Sequence, residues 1–317
     1  MNSAPVSRKN RNSKRSGNVQ HFQRPEWVDE AEYPFRSRLF AAPQGNIHYV
    51  DEGEGEVLLF VHGNPTWSFM YRHLIRGLSD RYRCIAPDHL GFGLSDKPEG
   101  LSYLPQLHAD NLARFIEALG LKEITLVIHD WGGPIGFSYA LAHPENVKRL
   151  IIFNTSCWSL KGVAGAERFS RVVGSPLGHF VCRTFNAFPR FVIPRVMGDR
   201  SRLTPEIHQH YIRPFPTPAS RQATWMLAKA LIGESDWLAS LWDRRARLGG
   251  IPVQILCGQK DPTFGPDKLA RWEEAFPAHN TLAFPEIGHF VAEELGRDAV
   301  APIQTFLTTH QRHPGPA

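Results

Sequence analysis

Short runs of β-forming apolar residues alternate with segments of helical periodicity along most of this chain. Most of the apolar runs are continuous, which is typical of strands buried on both faces of a parallel sheet. Strands are predicted at 46–51, 57–62, 83–87, 124–128, 147–154, 253–257 and 281–284. Helices are predicted at 73–78, 104–119, 135–142, 221–232, 266–276 and 294–308. This order predicts βαβ units, and therefore an α/β fold with a mostly parallel twisted sheet flanked by helices.

The alternation stops between residues 155 and 218. This segment is rich in Phe, Arg and Pro, and it contains helical pieces but no convincing strand. We therefore predict an inserted helical cap, or lid, at 155–218, called the cap segment below. It would lie over an α/β core formed by 25–154 and 219–310. Residues 1–24 are polar and basic, which predicts a disordered tail.

The formal net charge of +5 arises from this tail. Residues 1–20 contain no acidic residue and five basic ones, namely Arg8, Lys9, Arg11, Lys14 and Arg15. The rest of the chain is close to neutral, which argues against a nucleic-acid partner for the folded body. The tail leaves open a homo-oligomer, a weak association, or docking on an acidic partner or an anionic membrane surface. We favour a solvated leader without a role.

Cysteine spacing and hydropathy bear on the compartment. The four cysteines form no close pair, so neither a disulfide framework nor a zinc site is indicated. No apolar run reaches the roughly 18 residues that span a bilayer, and no signal-peptide core follows the basic start. We therefore predict a cytoplasmic protein without a metal ion.

The segment 124–137 has the strand–turn–helix pattern of a nucleophile elbow, in which a tight turn presents one side chain above the sheet edge. The residue at the tip is Asp130, a carboxylate where the commonest elbow has serine. Gly132 and Gly133 would let the following helix pack closely and free backbone N–H groups. Ile128 departs from the plain motif, which has glycine there. Asp130 could also serve only as a helix N-cap, but the residues described next favour a nucleophile.

Three further polar residues follow predicted strands. Asn64 follows the strand at 57–62, Asp261 follows the strand at 253–257, and His289 follows the strand at 281–284. Loops at the carboxyl ends of parallel strands share one edge of the sheet, so these side chains should meet Asp130 there. The chain order of nucleophile, acid and histidine is the order used by α/β-hydrolases. Asn64 and Asp261 each precede a proline and could be turn residues only.

These motifs resemble those of the α/β-hydrolase superfamily and, within it, of the haloalkane dehalogenases. The resemblance rests on HGNPTW at 62–67, HDWGG at 129–133, the Asp261 loop and the Gly–His pair at 288–289. It extends from about residue 25 to about residue 308. The family's alternative position for the acid corresponds to Asn154, which cannot serve as an acid. An Asn–Trp pair for the halide, here Asn64 and Trp131, together with an acid at Asp261 therefore resembles the third dehalogenase subfamily.

The resemblance implies a role for each residue. Asp130, His289 and Asp261 would be the catalytic nucleophile, base and acid. The side chains of Asn64 and Trp131 would bind the halide, and the backbone N–H groups of the same two residues would form the oxyanion hole. The implied reaction converts a haloalkane to a primary alcohol and halide through a covalent alkyl-aspartate, with no cofactor beyond water. The implied partners are a halogenated alkane or other hydrophobic substrate and the halide ion.

The residue types suit this chemistry. A carboxylate can displace halide from an sp³ carbon and become an alkyl ester. An unpaired anion in a dry pocket is costly, and neutral amide and indole N–H donors can hold it without trapping it. His289 would then take a proton from the water that attacks the ester, while Asp261 orients the imidazole. Asn64–Pro65 is expected to be a cis bond, as is frequent in the families that this chain resembles.

Several alternative functions stay open. A β-lactone decarboxylase of olefinic hydrocarbon biosynthesis would keep the same five residues. An epoxide hydrolase usually has an aromatic residue in place of Asn64 and cap tyrosines, whereas the cap segment has only Tyr211. A fluoroacetate dehalogenase usually has arginine in place of Trp131. A catalytically inactive scaffold is disfavoured because all five positions are kept.

Other candidates are weaker. We expect His62 and His129 to set loop geometry, and His208 and His210 to lie on the surface. Five phenylalanines could line the cavity or pack in the core, and the sequence does not separate these roles: Phe180, Phe185, Phe188, Phe191 and Phe215.

Overall fold

The computed structural model describes residues 22–310 and contains one eight-stranded sheet. Most of the predicted 1–24 tail lies outside the described residues. The strands are β1 (Arg38–Ala42), β2 (Gly45–Glu52), β3 (Glu56–Val61), β4 (Tyr82–Pro87), β5 (Ile124–Ile128), β6 (Val147–Phe153), β7 (Val253–Gly258) and β8 (His279–Phe284). Every strand predicted from the sequence is present. Only β1, a half-buried strand at the edge of the sheet, was not predicted.

The sheet order is β1-β2-β4-β3-β5-β6-β7-β8. β1 pairs antiparallel with β2, and β2 pairs antiparallel with β4. All remaining pairs are parallel, from β4–β3 to β7–β8. The carboxyl ends of β3, β5, β6, β7 and β8 therefore lie along one edge, as the prediction of a mostly parallel sheet required.

Successive residues of the central strands enter two separate hydrophobic cores. Leu59 and Val61 of β3 pack in one core, and Leu58 and Phe60 pack in the other. Side chains of a strand point to opposite faces in alternation, so a continuous apolar run is stable only where both faces are covered. Helices cover both faces here, which explains why these strands read as unbroken apolar segments.

Residues 22–310 contain twelve α-helices. They are α1 (Arg72–Leu78), α2 (Pro105–Ala118), α3 (Gly132–Ala142), α4 (Ala164–Gly174), α5 (Pro176–Phe185), α6 (Ile193–Val196), α7 (Pro205–Ile212), α8 (Gln222–Gly233), α9 (Ser235–Asp243), α10 (Pro266–Ala275), α11 (Val291–Leu295) and α12 (Val300–Thr309). Short 3-10 helices lie at Ser68–Tyr71, Pro144–Asn146, Arg200–Arg202, Ala219–Arg221, Arg245–Leu248 and Gly296–Ala299, and Phe188–Val192 is a π-helical turn.

Among the residues that the structure describes, the connection from β6 to β7 consists of helices joined by loops and contains no strand. It contains the cap segment and, after it, α8 and α9. Helix α8 packs against α4 and α5 of the cap segment, so the cap and the returning core chain share one helical layer. None of the helices between residues 22 and 310 combines the length and apolar character needed to cross a membrane.

Candidate active site

Asp130 stands at the tip of the turn between β5 and α3, with a φ of +48°. This left-handed conformation is unusual for a residue other than glycine and turns the side chain out of the strand direction. The two glycines that follow the tip leave no room for a side chain. A Cβ atom on Gly132 would lie 2.0 Å from the Val61 carbonyl oxygen, and one on Gly133 would lie 1.9 Å from Thr155 Oγ1. Any larger residue at position 132 or 133 would clash with its neighbours, so glycine is required at both.

The Asp130 carboxylate is held from two sides. Its Oδ1 accepts a hydrogen bond from the Asn64 backbone N–H at 2.7 Å, and its Oδ2 lies 3.5 Å from His289 Nε2. Burial alone would raise the pKa of Asp130, but the hydrogen bond and charge of His289 outweigh burial and lower it. Asp130 is therefore a carboxylate at neutral pH, the form that a nucleophile requires.

His289 links the two carboxylates that the sequence predicted. Its Nδ1 is 2.6 Å from Asp261 Oδ2, while Nε2 faces Asp130. Burial would lower the pKa of His289, but the negative charges of Asp261 and Asp130 raise it to about 10. Asp261 Oδ1 accepts the backbone and side-chain hydrogen bonds of Thr263, both at 2.7 Å. Burial opposes ionisation of Asp261, yet His289 and Thr263 hold its pKa well below the usual value.

Asn154 is a member of this cluster that the sequence did not predict. Its Nδ2 donates to Asp261 Oδ2 at 2.9 Å and to the Gly258 carbonyl at 2.9 Å, and its Oδ1 accepts from the Gly258 N–H at 3.0 Å. From the sequence, Asn154 was only the position at which the family's alternative acid is missing, and no role was predicted for it. A contact with Asp261 could have been predicted, because Asn154 directly follows β6 and Asp261 follows the neighbouring strand β7.

The two predicted halide ligands flank Asp130. Asn64 Nδ2 donates one N–H to the Thr224 carbonyl on α8 at 3.0 Å, which fixes the plane of the amide. Its second N–H, and the indole N–H of Trp131, have no hydrogen-bond partner within residues 22–310. Both side chains line the same cavity as Asp130. The Asn64–Pro65 peptide bond is cis, as predicted.

A cavity of about 430 Å³ opens above the carboxyl edge of the sheet. Asn64, Asp130, Trp131 and His289 form its polar end. Its remaining wall is mostly apolar and comes largely from the cap segment, α8 and nearby loops: Leu160, Val163, Ala166, Phe169, Phe188, Val192, Val196, Ala228, Leu231, Leu238, Phe264 and Phe290. The arrangement suits an apolar molecule whose reactive carbon reaches the carboxylate.

Of the five phenylalanines considered from the sequence, only Phe188 lines this cavity. Phe215 is buried in the core, and Phe180, Phe185 and Phe191 are exposed.

The prediction for His210 was wrong, because this residue is buried. Its ring stacks on Phe69 at 4.4 Å, its Nδ1 bonds the Glu206 carbonyl and its Nε2 accepts the Asp29 N–H. His208 is half-buried and contacts the Pro189 carbonyl.

The other histidines near the site contact the backbone. His129 Nε2 is 2.9 Å from the His289 carbonyl, and His62 Nδ1 is 2.8 Å from the Gly63 carbonyl. Burial lowers the pKa of His129 to about 4, despite the nearby carboxylates, so this ring is neutral. Among the described residues there is no group of three or more His, Cys, Asp or Glu side chains placed to hold a metal ion.

Known proteins are similar to this chain in sequence and in fold. A family model described as alpha/beta hydrolase fold matches residues 56–294. The chain belongs to the alpha/beta hydrolase fold family. The predicted fold class is thereby confirmed.

Relatives within the family carry two kinds of name. The chain is 38% identical over 277 residues to haloalkane dehalogenase 2 of Mycobacterium tuberculosis, covering 86% of this chain and 96% of the relative. It is 36% identical over 287 residues to the cis-3-alkyl-4-alkyloxetan-2-one decarboxylase of Xanthomonas campestris, covering 85% of this chain and 95% of the relative. The similarity to haloalkane dehalogenases that was drawn from the sequence is confirmed, whereas the subfamily stays a prediction.

Solved structures of the family agree. The crystal structure of the haloalkane dehalogenase DbeA from Bradyrhizobium elkani has a TM-score of 0.78 to this chain at 26% identity. The match covers 87% of this chain and 99% of DbeA. The similarity therefore includes the cap segment as well as the sheet.

Proposed function

We propose that this hydrolase converts haloalkanes to a primary alcohol and halide through a covalent alkyl ester on Asp130. The observation that carries the proposal is an ionised aspartate at the tip of the elbow, at the polar end of an apolar cavity. A carboxylate oxygen would attack the carbon in line with the halogen. The new C–O bond forms as the C–halogen bond breaks, and the bonding electrons leave with the halide.

The free N–H groups of Asn64 and Trp131 are proposed to receive the halide. A bare anion in the cavity would be strongly destabilised, and a hydrogen bond to a charged group contributes more than one between neutral groups. The Thr224 carbonyl occupies one Asn64 N–H and directs the other. Neutral donors stabilise the departing ion without an opposite charge that would retain it.

His289 is proposed to activate water against the alkyl ester, with Asp261 holding its ring. In the free enzyme two carboxylates keep the imidazole protonated. Formation of the ester removes the negative charge of Asp130, so the pKa of His289 falls when a base is needed. The backbone N–H of Asn64, which already bonds Asp130 Oδ1, and that of Trp131 are proposed to stabilise the tetrahedral oxyanion.

The division of the chain is part of the proposal. Residues 25–154 and 219–310 would form the catalytic core, and the cap segment would exclude bulk water from the ester. An epoxide hydrolase is disfavoured because the Tyr211 hydroxyl bonds Glu293 and the residue does not line the cavity. A cap tyrosine that protonates an epoxide would have to face Asp130.

A β-lactone decarboxylase is the second candidate. It is favoured by the 36% identical cis-3-alkyl-4-alkyloxetan-2-one decarboxylase, since an oxetan-2-one is a β-lactone. Asp130 would attack the ring carbon bonded to the lactone oxygen, opening the ring to an alkyl ester with a free carboxylate. Loss of carbon dioxide would then place its electron pair in a C=C bond and expel Asp130. This route consumes no water, so it would not need His289 as a base.

One assay separates the two reactions. The purified protein is incubated with a bromoalkane and, separately, with a long-chain β-lactone, while bromide and olefin are measured. Bromide release without olefin supports dehalogenation, and rapid olefin release supports decarboxylation. The Asp130→Ala variant is the control for both substrates, and bromide release by this variant would refute the covalent route.

A further inference from the structure

The large hydrophobic side chains that are exposed in the described residues all lie in one part of the cap segment. They fall between residues 163 and 191, on α4, on α5 and beside them: Val163, Phe169, Val172, Leu177, Phe180, Phe185 and Phe191. These seven residues are called the cap patch below. Leu177 is 71% exposed and Val172 is 61% exposed. Such a concentration on a folded surface indicates contact with another apolar surface or phase.

The cap segment, which contains the cap patch, also has an excess of basic residues. The cap segment contains nine Lys and Arg residues against three Asp and Glu residues. Outside the cap segment and the first 20 residues, the numbers are 22 basic against 28 acidic. The cap segment is therefore a positive surface on a negative body, although the folded chain as a whole is close to neutral.

Three arginines of α4 and the π-helical turn directly precede a cap-patch residue in the sequence and have no acidic partner within residues 22–310. Arg168, Arg171 and Arg190 are exposed, and none forms an ion pair within residues 22–310. By contrast, Lys161 pairs with Asp236 at 2.7 Å. The exposed arginines are thus available to an anionic partner.

The cavity reaches this same surface. Val163 and Phe169 belong to the cap patch, and both also line the cavity above Asp130. Phe169 packs edge-on against Phe188, which lies deeper in the same wall. An apolar molecule dissolved in the phase that contacts the cap patch would therefore meet the cavity without crossing water.

We propose that the cap patch docks on an anionic lipid bilayer, with its apolar side chains in the headgroup region and its arginines on lipid phosphates. This combination of exposed apolar side chains and flanking basic ones is what holds a protein in a membrane interface. A two-fold dimer through the patch would place one positive surface against another. Docking itself is independent of the proposed reaction, and only the entry of substrate from the lipid rests on it.

The test is co-sedimentation of the full chain with phosphatidylcholine vesicles that contain or lack phosphatidylglycerol. We expect binding only when phosphatidylglycerol is present. The apolar variant L177S/F180S/F185S and the charge variant R168Q/R171Q/R190Q should each lose at least about tenfold in affinity. R81Q/K122Q/R247Q, which removes three exposed basic residues of the core, is the matched control and should bind as the parent does.

The basic tail is tested separately by changing its five basic residues to glutamine, which should leave most of the binding. If both cap variants bind like the parent, or if the parent does not bind, the proposal is wrong. A third result would also contradict it: the parent is a dimer in gel filtration and does not bind vesicles, and the apolar variant is a monomer. The cap patch would then be the contact surface with a second copy of the chain. None of these measurements requires turnover.

Discussion

Asn154 Nδ2 and His289 Nδ1 approach the same oxygen of Asp261, at 2.9 Å and 2.6 Å. The asparagine donates to the acid from the end of β6, while the acid itself lies in the loop after β7. Asp261 is thus held at the same oxygen that contacts His289, while its other oxygen accepts the hydrogen bonds of Thr263. In the proposed reaction Asn154 is a positioning residue, because it acts on the base through Asp261.

Replacing Asn154 with alanine should slow hydrolysis of the alkyl ester more than its formation. The loss of one hydrogen bond to a buried carboxylate is worth about 1.5–3 kcal/mol, or about tenfold to a hundredfold in rate. Rapid-quench measurement of halide and alcohol release separates the two steps. Asn146→Ala is the matched control, since Asn146 bonds Leu121 and Tyr139 far from the cavity. Equal slowing of both steps would contradict a positioning role.

Replacing His289 with glutamine should trap the alkyl ester, because water would lack a base while Asp130 still attacks. Mass spectrometry should then show the protein plus one alkyl group after incubation with a bromoalkane, together with a single burst of bromide. His143→Gln, at an exposed position, should show neither the adduct nor the loss of turnover. Unchanged turnover in His289→Gln would show that this residue is not the base.

The pKa of His289 should fall when Asp130 becomes asparagine. Two anions raise this pKa to about 10, and the substitution removes one of them while keeping the shape. An opposite charge at this distance shifts a pKa by about one unit or more, so the titration should move toward neutral pH. Nitrogen NMR of the imidazole measures it directly. Asp243→Asn is the control, and an equal pKa in both variants would mean that Asp130 does not hold the proton on His289.

The site was predictable where its signals are local in sequence. The elbow shows as a β-forming run that ends at Asp130, followed by glycines that the structure requires for space. The carboxyl ends of parallel strands then place Asp261 and His289 at the same edge. Four short segments were therefore enough to identify the residues that meet around Asp130.

The remaining features depend on contacts between distant parts of the chain. Asn154 meets Asp261 across 107 residues, and His210 meets Asp29 across 181 residues. A polar residue in a helical, arginine-rich segment reads as a surface residue until the packing of Phe69 against its ring is known. The cavity-lining phenylalanine could not be selected for the same reason, since exposure within the cap segment depends on how its helices pack.

Trp131→Phe should weaken halide binding while leaving the fold intact. The phenyl ring fills most of the same space but cannot donate the indole N–H that is free in the cavity. Loss of one hydrogen bond to an anion predicts a rise in the bromide Kd of about tenfold to a hundredfold. Calorimetric titration with bromide measures it. The control is Trp225→Phe, which removes an indole N–H that bonds the Val173 carbonyl outside the cavity. The bromide Kd of this variant should equal that of the parent.

Gly63→Ala should abolish most activity by displacing the carboxylate. A Cβ atom at Gly63 would lie 2.3 Å from Asp130 Oδ1 and 2.5 Å from Asp130 Cβ, so Asp130 would have to turn away from the Asn64 N–H. A misplacement of about 1 Å costs about a hundredfold in rate. Gly233→Ala is the matched control, because its Cβ would have no neighbour within 4 Å. We expect it to keep full activity, with no loss of thermal stability, since alanine favours the helix. If Gly63→Ala were as active as the parent, the hydrogen bond from the Asn64 N–H to Asp130 would not be needed to position the carboxylate.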